Sequence, residues 1–254
     1  MKEVVVAENI FELAAEKFVE IAKDSIEKRG QFTVALSGGS TPKKLYALLA
    51  EKPFRSQIEW QKIHFFFGDE RFVPKDSEES NYRMANEALF SKVEIPAENI
   101  HEFQTENGDV ETAALMMEQE LRKVFRIEKQ PVAPPLKAMH EPQPPMQFPR
   151  FDLILLGMGA DGHTASLFPE TKALKEDTRI VTENFVPKFD TFRLTFTFPT
   201  INKARNIIFL IAGADKKETL HEVLYGEFQP EKLPSQAVKP TDGNLYFLTD
   251  IKLK

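Results

Sequence analysis

The sequence predicts an α/β protein: a doubly wound, largely parallel, Rossmann-like sheet with helices on both faces. Three observations carry that expectation. Short apolar runs at 32–36 (FTVAL), 63–67 (IHFFF), 151–156 (FDLILL) and 207–212 (IIFLIA) lack the alternation of a half-exposed strand, as strands covered on both faces should. Helix-length amphipathic stretches separate these runs, and alternation of strand and helix is the signature of a parallel sheet. Each run then passes into glycine and small or charged residues, which in open α/β sheets is where ligands bind.

The elements follow in order. Residues 10–29 form an amphipathic helix, with Asn9 placed to cap its start and Gly30 just past its end. The strand at 32–36 opens the sheet, and Pro42 suits the first turn of a helix running to about residue 50. The strand at 63–67 ends in Gly68, with Asp69, Glu70 and Arg71 on the loop beyond it. Helices are expected at 81–90, capped by Ser80, and at 110–126, behind Asp109. Seven prolines fall within 131–149, a density that excludes helix and central strand, so about 130–150 reads as an extended surface loop. A polyproline recognition segment is the other reading of that stretch. After the strand at 151–156, residues 164–167 are placed to begin a helix before Pro169. Residues 179–186 and 191–198 read as strands. The second alternates, with Phe192, Leu194, Phe196 and Phe198 on one face and Thr191, Arg193, Thr195 and Thr197 on the other. The strand at 207–212 leads into a helix that Gly226 stops, and 245–248 is the last strand. The first strand is thus preceded by about thirty residues holding one acidic helix. No internal repeat is present, and residues 1–254 read as one domain.

Composition narrows the function. The 254 residues contain no cysteine, which removes disulfides, thiolate metal sites and cysteine nucleophiles and fits a reducing compartment. A net charge of −6 disfavours a nucleic-acid surface. No apolar stretch is of bilayer length, and the first eighteen residues carry acids throughout, unlike a signal peptide. A cytoplasmic protein with no membrane and no nucleic-acid partner, monomeric or weakly self-associating, is expected.

The chemistry concentrates in GMGADGH at 157–163. Gly157, Gly159 and Gly162 allow a tight turn and close approach of a ligand, and they are followed by His163, which titrates near neutrality and suits general-base work. Asp161, two residues earlier, is placed to orient the imidazole. The other histidines (64, 101, 140 and 221) lack any such motif, and His64 and His221 read as structural. The loop Ser37, Gly38, Gly39, Ser40, Thr41 presents backbone N–H groups at a helix start, a ready anion site, although it has neither Walker A nor GxGxxG spacing. An ordinary strand-to-helix turn accounts for it equally well when it is taken alone. Arg193 is a lone charge within a strand, a pattern common on solvated edges. Lys216 starts a helix, where the macrodipole disfavours a cation unless an anion binds nearby. Two rival constellations use the same residues: a metal site from His163, Asp161 and Asp69, which lacks HxxxH or HxH spacing, and a serine nucleophile at Ser166, which lacks GxSxG.

Taken together, SGGSTP (37–42), GDERFVP (68–74) and GMGADGHTASLFP (157–169) resemble the 6-phosphogluconolactonase family, a relative of glucosamine-6-phosphate isomerase/deaminase. The similarity spans nearly the whole chain with the motifs in the family's order. The resemblance implies the isomerase/6-phosphogluconolactonase fold and hydrolysis of 6-phospho-D-glucono-1,5-lactone, the second step of the oxidative pentose phosphate pathway. A small sugar-phosphate lactone would be the partner, with no cofactor. It further implies that the 37–41 loop, Arg193 and Lys216 hold the substrate phosphate, that Arg71 lies in the cleft, and that His163 is the base. Asp69 and Glu70 would flank them. The isomerase/deaminase branch carries a glutamate five residues after the histidine, where this chain has Phe168, and a phenylalanine transfers no proton. A non-catalytic sugar-phosphate sensor is a third reading, but the chain offers no DNA-reading module.

Overall fold

The computed structural model describes residues 1–128 and 146–253. Six strands form one all-parallel sheet: β1 (Lys2–Val6), β2 (Phe32–Leu36), β3 (Ile63–Phe67), β5 (Leu153–Leu156), β8 (Asn206–Ile211) and β9 (Asn244–Thr249), in the order β1-β9-β8-β5-β2-β3. Every residue of β2 and β5 is buried, which explains their unbroken apolar sequences. Register is fixed by pairs such as Val34 with Leu153 and Ile154 with Ile207. From β2 the chain steps to β3 on one side, and from β5 to β8 and β9 on the other. The β2/β5 boundary is therefore the switch point, where connections diverge and leave a crevice beyond the strands' carboxyl ends.

Helix α1 (Ile10–Arg29) is bounded as its sequence predicts. The Asn9 side chain accepts from the Glu12 N–H, and Gly30 closes the helix in the left-handed conformation at φ 78°. Helix α2 (Ser40–Leu49) starts two residues ahead of Pro42 and packs on α1, which also lies against β8 and β9. Helices α3 (Asn81–Ala88) and α4 (Val110–Val124) begin at their expected caps, Ser80 and Asp109, and end slightly early. Helix α6 (Lys217–Tyr225) follows β8 through a short turn and ends at Gly226. One continuous buried core runs from Ile10 to Ile251.

The structure corrects several expectations. Residues Asp69–Arg71 are not a loop but a short strand, β4, in a second, three-stranded antiparallel sheet with β7 (Thr191–Phe196) and β6 (Val181–Val186), ordered β4-β7-β6. The cause is long-range: the Phe196 N–H donates to the Gly68 carbonyl, which draws the chain off β3 and onto β7. The alternation of β7 does not divide core from solvent. Arg193, Thr195 and Thr197 are buried, whereas Phe192 is exposed. Phe198 lies outside that strand and opens a one-turn helix, α5 (Phe198–Asn202), whose early Pro199 cannot donate to a ladder. Residues 164–167 form no helix; Ala165 sits at φ 47°, and Thr164 and Leu167 make an isolated bridge. Strand β1 was not foreseen from the sequence, because an edge strand with a partly exposed KEVVV pattern carries little apolar signal. Of the proline-rich stretch, 131–145 lies outside the described residues, and 146–149 is neither helix nor strand.

Candidate active site

The carboxyl ends of β2, β5 and β8 share one edge of the sheet, so the loops at 37–41, 157–163 and 213–216 converge there. They enclose a cavity of about 300 Å³ with β4, β7 and the start of α3. Ser37, Gly38, Gly39, Ser40, Thr41, Asp69, Arg71, Gly157, Gly159, His163, Arg193 and Lys216 all line it, so twelve expected site residues meet although they come from five parts of the chain.

The 157–163 loop is held from behind. Thr164 Oγ1 donates to the Gly157 carbonyl at 2.9 Å, Ser235 Oγ to the Gly162 carbonyl at 2.8 Å, and Thr219 Oγ1 of α6 to the Ala160 carbonyl at 2.7 Å. The glycines divide the labour differently from the expectation of a shared turn. Gly162 alone adopts positive φ, at 77°. Gly159 is needed for space, because a Cβ there would lie 2.2 Å from the His163 ring and 2.7 Å from Asp161 Oδ1.

His163 Nδ1 is bonded to Asp161 Oδ1, so the two residues are in contact as well as adjacent in the motif. The other carboxylate oxygen, Oδ2, accepts from Lys188 Nζ at 2.9 Å. Burial alone would raise the Asp161 carboxyl, but the His163 and Lys188 contacts outweigh it and hold the group well below the usual carboxylate range. It is therefore ionised at neutral pH and offers His163 Nδ1 a carboxylate acceptor. Phe168 stacks on the imidazole with ring centroids 4.0 Å apart and offers no group that could transfer a proton. Asp161 itself stands behind the imidazole and does not line the cavity.

The same cavity holds a concentration of positive charge. In the β4–β7 pair Arg71 and Arg193 are directly opposed. Like charges facing each other across a ladder are unfavourable. Burial, and then the Arg71 charge, lower the proton affinity of the Arg193 guanidinium. Arg71 is held by the Glu79 carbonyl at 2.6 Å and Asn81 Oδ1 at 2.8 Å, whereas Arg193 Nε is buried without a partner among the described residues. Ser37 Oγ is buried and unpartnered in the same cavity, beside backbone anchored by the Tyr46 hydroxyl. Buried donors left open cost free energy that an anion would recover. Lys216 lines the same cavity.

Three expected residues have other tasks. Glu70 does not face the cavity. It is 3% exposed and accepts from the backbone N–H groups of Arg71, Asn81 and Tyr82, each at 2.8 Å, which caps α3 and fixes the Arg71 strand. Burial pushes its carboxyl up to about 7, against the pull of those hydrogen bonds. Gly162 shapes the loop but does not line the cavity. Asp69 lines it yet accepts from Ser166 Oγ at 2.7 Å, which ties up the serine once weighed as a nucleophile. Among the described residues no three His, Asp or Glu side chains converge as a metal-ligand set. The sequence reading missed Lys188, Asn81 and the stacking role of Phe168. Asn81 also explains Gly38, where a Cβ would sit 1.8 Å from Asn81 Oδ1.

A switch-point crevice in which a histidine backed by an aspartate shares one cavity with Arg71, Arg193 and Lys216 is the arrangement of an α/β enzyme for a small anionic substrate. Comparison with known proteins gives the particular family. The model of the glucosamine-6-phosphate isomerase/6-phosphogluconolactonase family matches residues 6–247, and the chain belongs to that family. It is 46% identical over 226 residues to a 6-phosphogluconolactonase of Synechocystis sp., covering 89% of this chain and 85% of the relative. A Nostoc sp. 6-phosphogluconolactonase is 41% identical over the same shares. Among solved structures, the Thermotoga maritima 6-phosphogluconolactonase superposes with a TM-score of 0.79 at 31% identity, covering 98% of this chain and 100% of that one. A monomeric glucosamine-6-phosphate deaminase, at TM-score 0.74 and 20% identity, covers 97% of each chain and shares the fold. No helix among the described residues is long and apolar enough to cross a membrane.

Proposed function

We propose that this chain hydrolyses 6-phospho-D-glucono-1,5-lactone to 6-phospho-D-gluconate, acting as one α/β unit over residues 1–254. The observation that carries the reading is the placement, in one cavity, of His163, backed by Asp161, and the open donors of Arg193 and Ser37. The 46%-identical relative supports the same chemistry. The phosphate rests against Arg193, Lys216 and the N–H groups of the 37–41 loop, which sets the lactone carbonyl beside the imidazole.

Asp161 holds the proton on Nδ1, so Nε2 is the nitrogen that accepts one. His163 takes a proton from water as its oxygen bonds to the lactone carbon, and the carbonyl electrons move onto oxygen. Arg71, fixed by Asn81 and Glu79, faces that charge. Collapse of the tetrahedral intermediate breaks the bond to the ring oxygen, which receives the proton from His163. Every proton is accounted for by water and the imidazole. Phe168 favours this reading over the isomerase/deaminase one, because a phenyl ring stacked on His163 cannot relay a proton for ring opening. A cytoplasmic site of action accords with the cysteine-free composition.

The test is the initial rate on freshly generated lactone, with EDTA present, against spontaneous hydrolysis. His163→Ala is expected to lower kcat by ~10²–10⁴-fold with little change in KM, the usual worth of general-base assistance. Near-full kcat in that variant would remove His163 from the role. No acceleration by the unsubstituted chain would remove the lactonase reading and turn attention to ammonia release from glucosamine 6-phosphate.

A further inference from the structure

The opposite edge of the parallel sheet carries a second concentration of positive charge, for which lactone hydrolysis has no use. Thr33 is the second residue of β2, Asp152 precedes β5 and Arg205 precedes β8, so these residues mark the amino ends of strands whose carboxyl ends form the active site. A strand length, roughly 15 Å, separates the two. At this edge lies a cavity of about 750 Å³, and five cationic side chains line it: Arg29, Arg126, Arg150, Lys203 and Arg205. Val124, Phe125, Ile127 and Phe148 supply an apolar wall.

The nearby carboxylates are already engaged. Asp152, 3% exposed, accepts at Oδ2 from the Thr33 N–H and hydroxyl, both at 2.9 Å, and at Oδ1 from Arg29 Nε at 2.9 Å. Arg205 Nε approaches the same Oδ1 at 3.3 Å without hydrogen-bond geometry. Asp242 accepts from one terminal nitrogen of Arg150 at 2.8 Å. Among the described residues, Asp152 and Asp242 are thus the acids engaged with these five cations, and the Nε–H groups of Arg150 and Arg205 are buried without acceptors. Burial and the charges of Arg150 and Arg29 also lower the proton affinity of the Arg205 guanidinium, the electrostatic mark of a site short of negative charge. In a protein of net charge −6 such a cluster is a local feature that needs its own cause.

We propose that this cavity is a second anion site, which binds the phosphoryl group of a small phosphorylated molecule between Arg150 and Arg205 while the apolar wall receives the rest of the ligand. Guanidinium forks match phosphate oxygens in pairs, and two guanidiniums with open Nε–H groups provide that geometry. The site is independent of the active-site assignment, since no residue is shared between the two cavities.

The experiment follows the arginine Nε–Hε resonances of the isotopically labelled chain by NMR. The probes are inorganic phosphate and glycerol 3-phosphate, each compared with sodium chloride at matched ionic strength. Saturable shifts at Arg150 and Arg205 are expected, on a binding curve separate from that of Arg193. Arg150→Gln with Lys203→Gln should weaken binding at Arg205 about tenfold or more, the usual worth of lost charge-assisted bonds. The Arg193 curve and the melting temperature should stay unchanged. Tighter binding of glycerol 3-phosphate than of phosphate identifies an ester as the ligand class, and equal affinity identifies free phosphate. Shifts no larger than those caused by sodium chloride, or shifts that survive the double substitution, overturn the proposal.

Discussion

At the scale of single residues, Arg193 shows why burial has to be known before a charge in a strand can be interpreted. Alternation in TFRLTF suggests a polar face in water, yet the face is turned inward and Arg193 lines the cavity. Arg193→Ala and Lys216→Ala are expected to raise KM for the phosphorylated lactone by about tenfold to a hundredfold, as lost charge-assisted hydrogen bonds do, with kcat less affected. Initial rates across a substrate series check this, and an unchanged KM in either variant would remove that residue from phosphate binding. Gly159 supplies a steric test. In Gly159→Ala the new methyl displaces the imidazole, so activity should fall about as far as in His163→Ala while circular dichroism and the melting temperature stay close to those of the parent. The GMGADGH motif was legible because its parts are adjacent in sequence. Lys188 was not, since its value lies in reaching Asp161 across space from a separate turn.

At the scale of elements, most of the parallel sheet was legible and the small antiparallel sheet much less so. Strands β2 and β3 carry their signal within five residues of buried apolar sequence. Strand β4 carries none, because three charged residues become a strand only through pairing with β7. Beside β3 lies an arrangement that makes stability depend on pH. His64 Nδ1 and His101 Nε2 are 3.1 Å apart, and His101 Nδ1 faces Glu120 at 3.0 Å, with Lys123 nearby. Two imidazoles sharing one hydrogen bond cannot both be fully protonated. Burial lowers both below their ordinary 6.5, and for His101 this exceeds the opposing pull of Glu120. The unfolded chain thus binds protons more readily than the folded one. The contribution to stability is complete above pH 6.5 and is lost as pH falls toward the folded-state values. The melting temperature should drop by about 2–4 °C for each kcal/mol lost. His101→Gln should flatten that acid limb, and an equally steep limb in the variant would assign the effect to other groups.

At the scale of the whole molecule, one core joins residues from α1 to the segment after β9, so residues 1–254 are proposed to unfold as one unit. Calorimetry should show a single transition whose van't Hoff and calorimetric enthalpies agree, and two separated transitions would divide the chain. The sequence was informative about every strand of the parallel sheet except β1 at one rim. Strand β1 was missed because its evidence is its partner β9, which lies at the far end of the chain: Val4 meets Phe247.

That last pairing has a consequence for synthesis. During translation β1 emerges long before its hydrogen-bond partner β9, whose residues lie far later in the chain. At roughly 5–20 residues per second, this leaves its backbone unpaired for tens of seconds. The β8 edge waits for the same strand, β9, which inserts between β8 and β1. A nascent chain stalled before residue 244 would therefore expose two parallel edges at once, inviting capture by chaperones or by a second nascent chain. Completion of β9 fills both edges in a single late event.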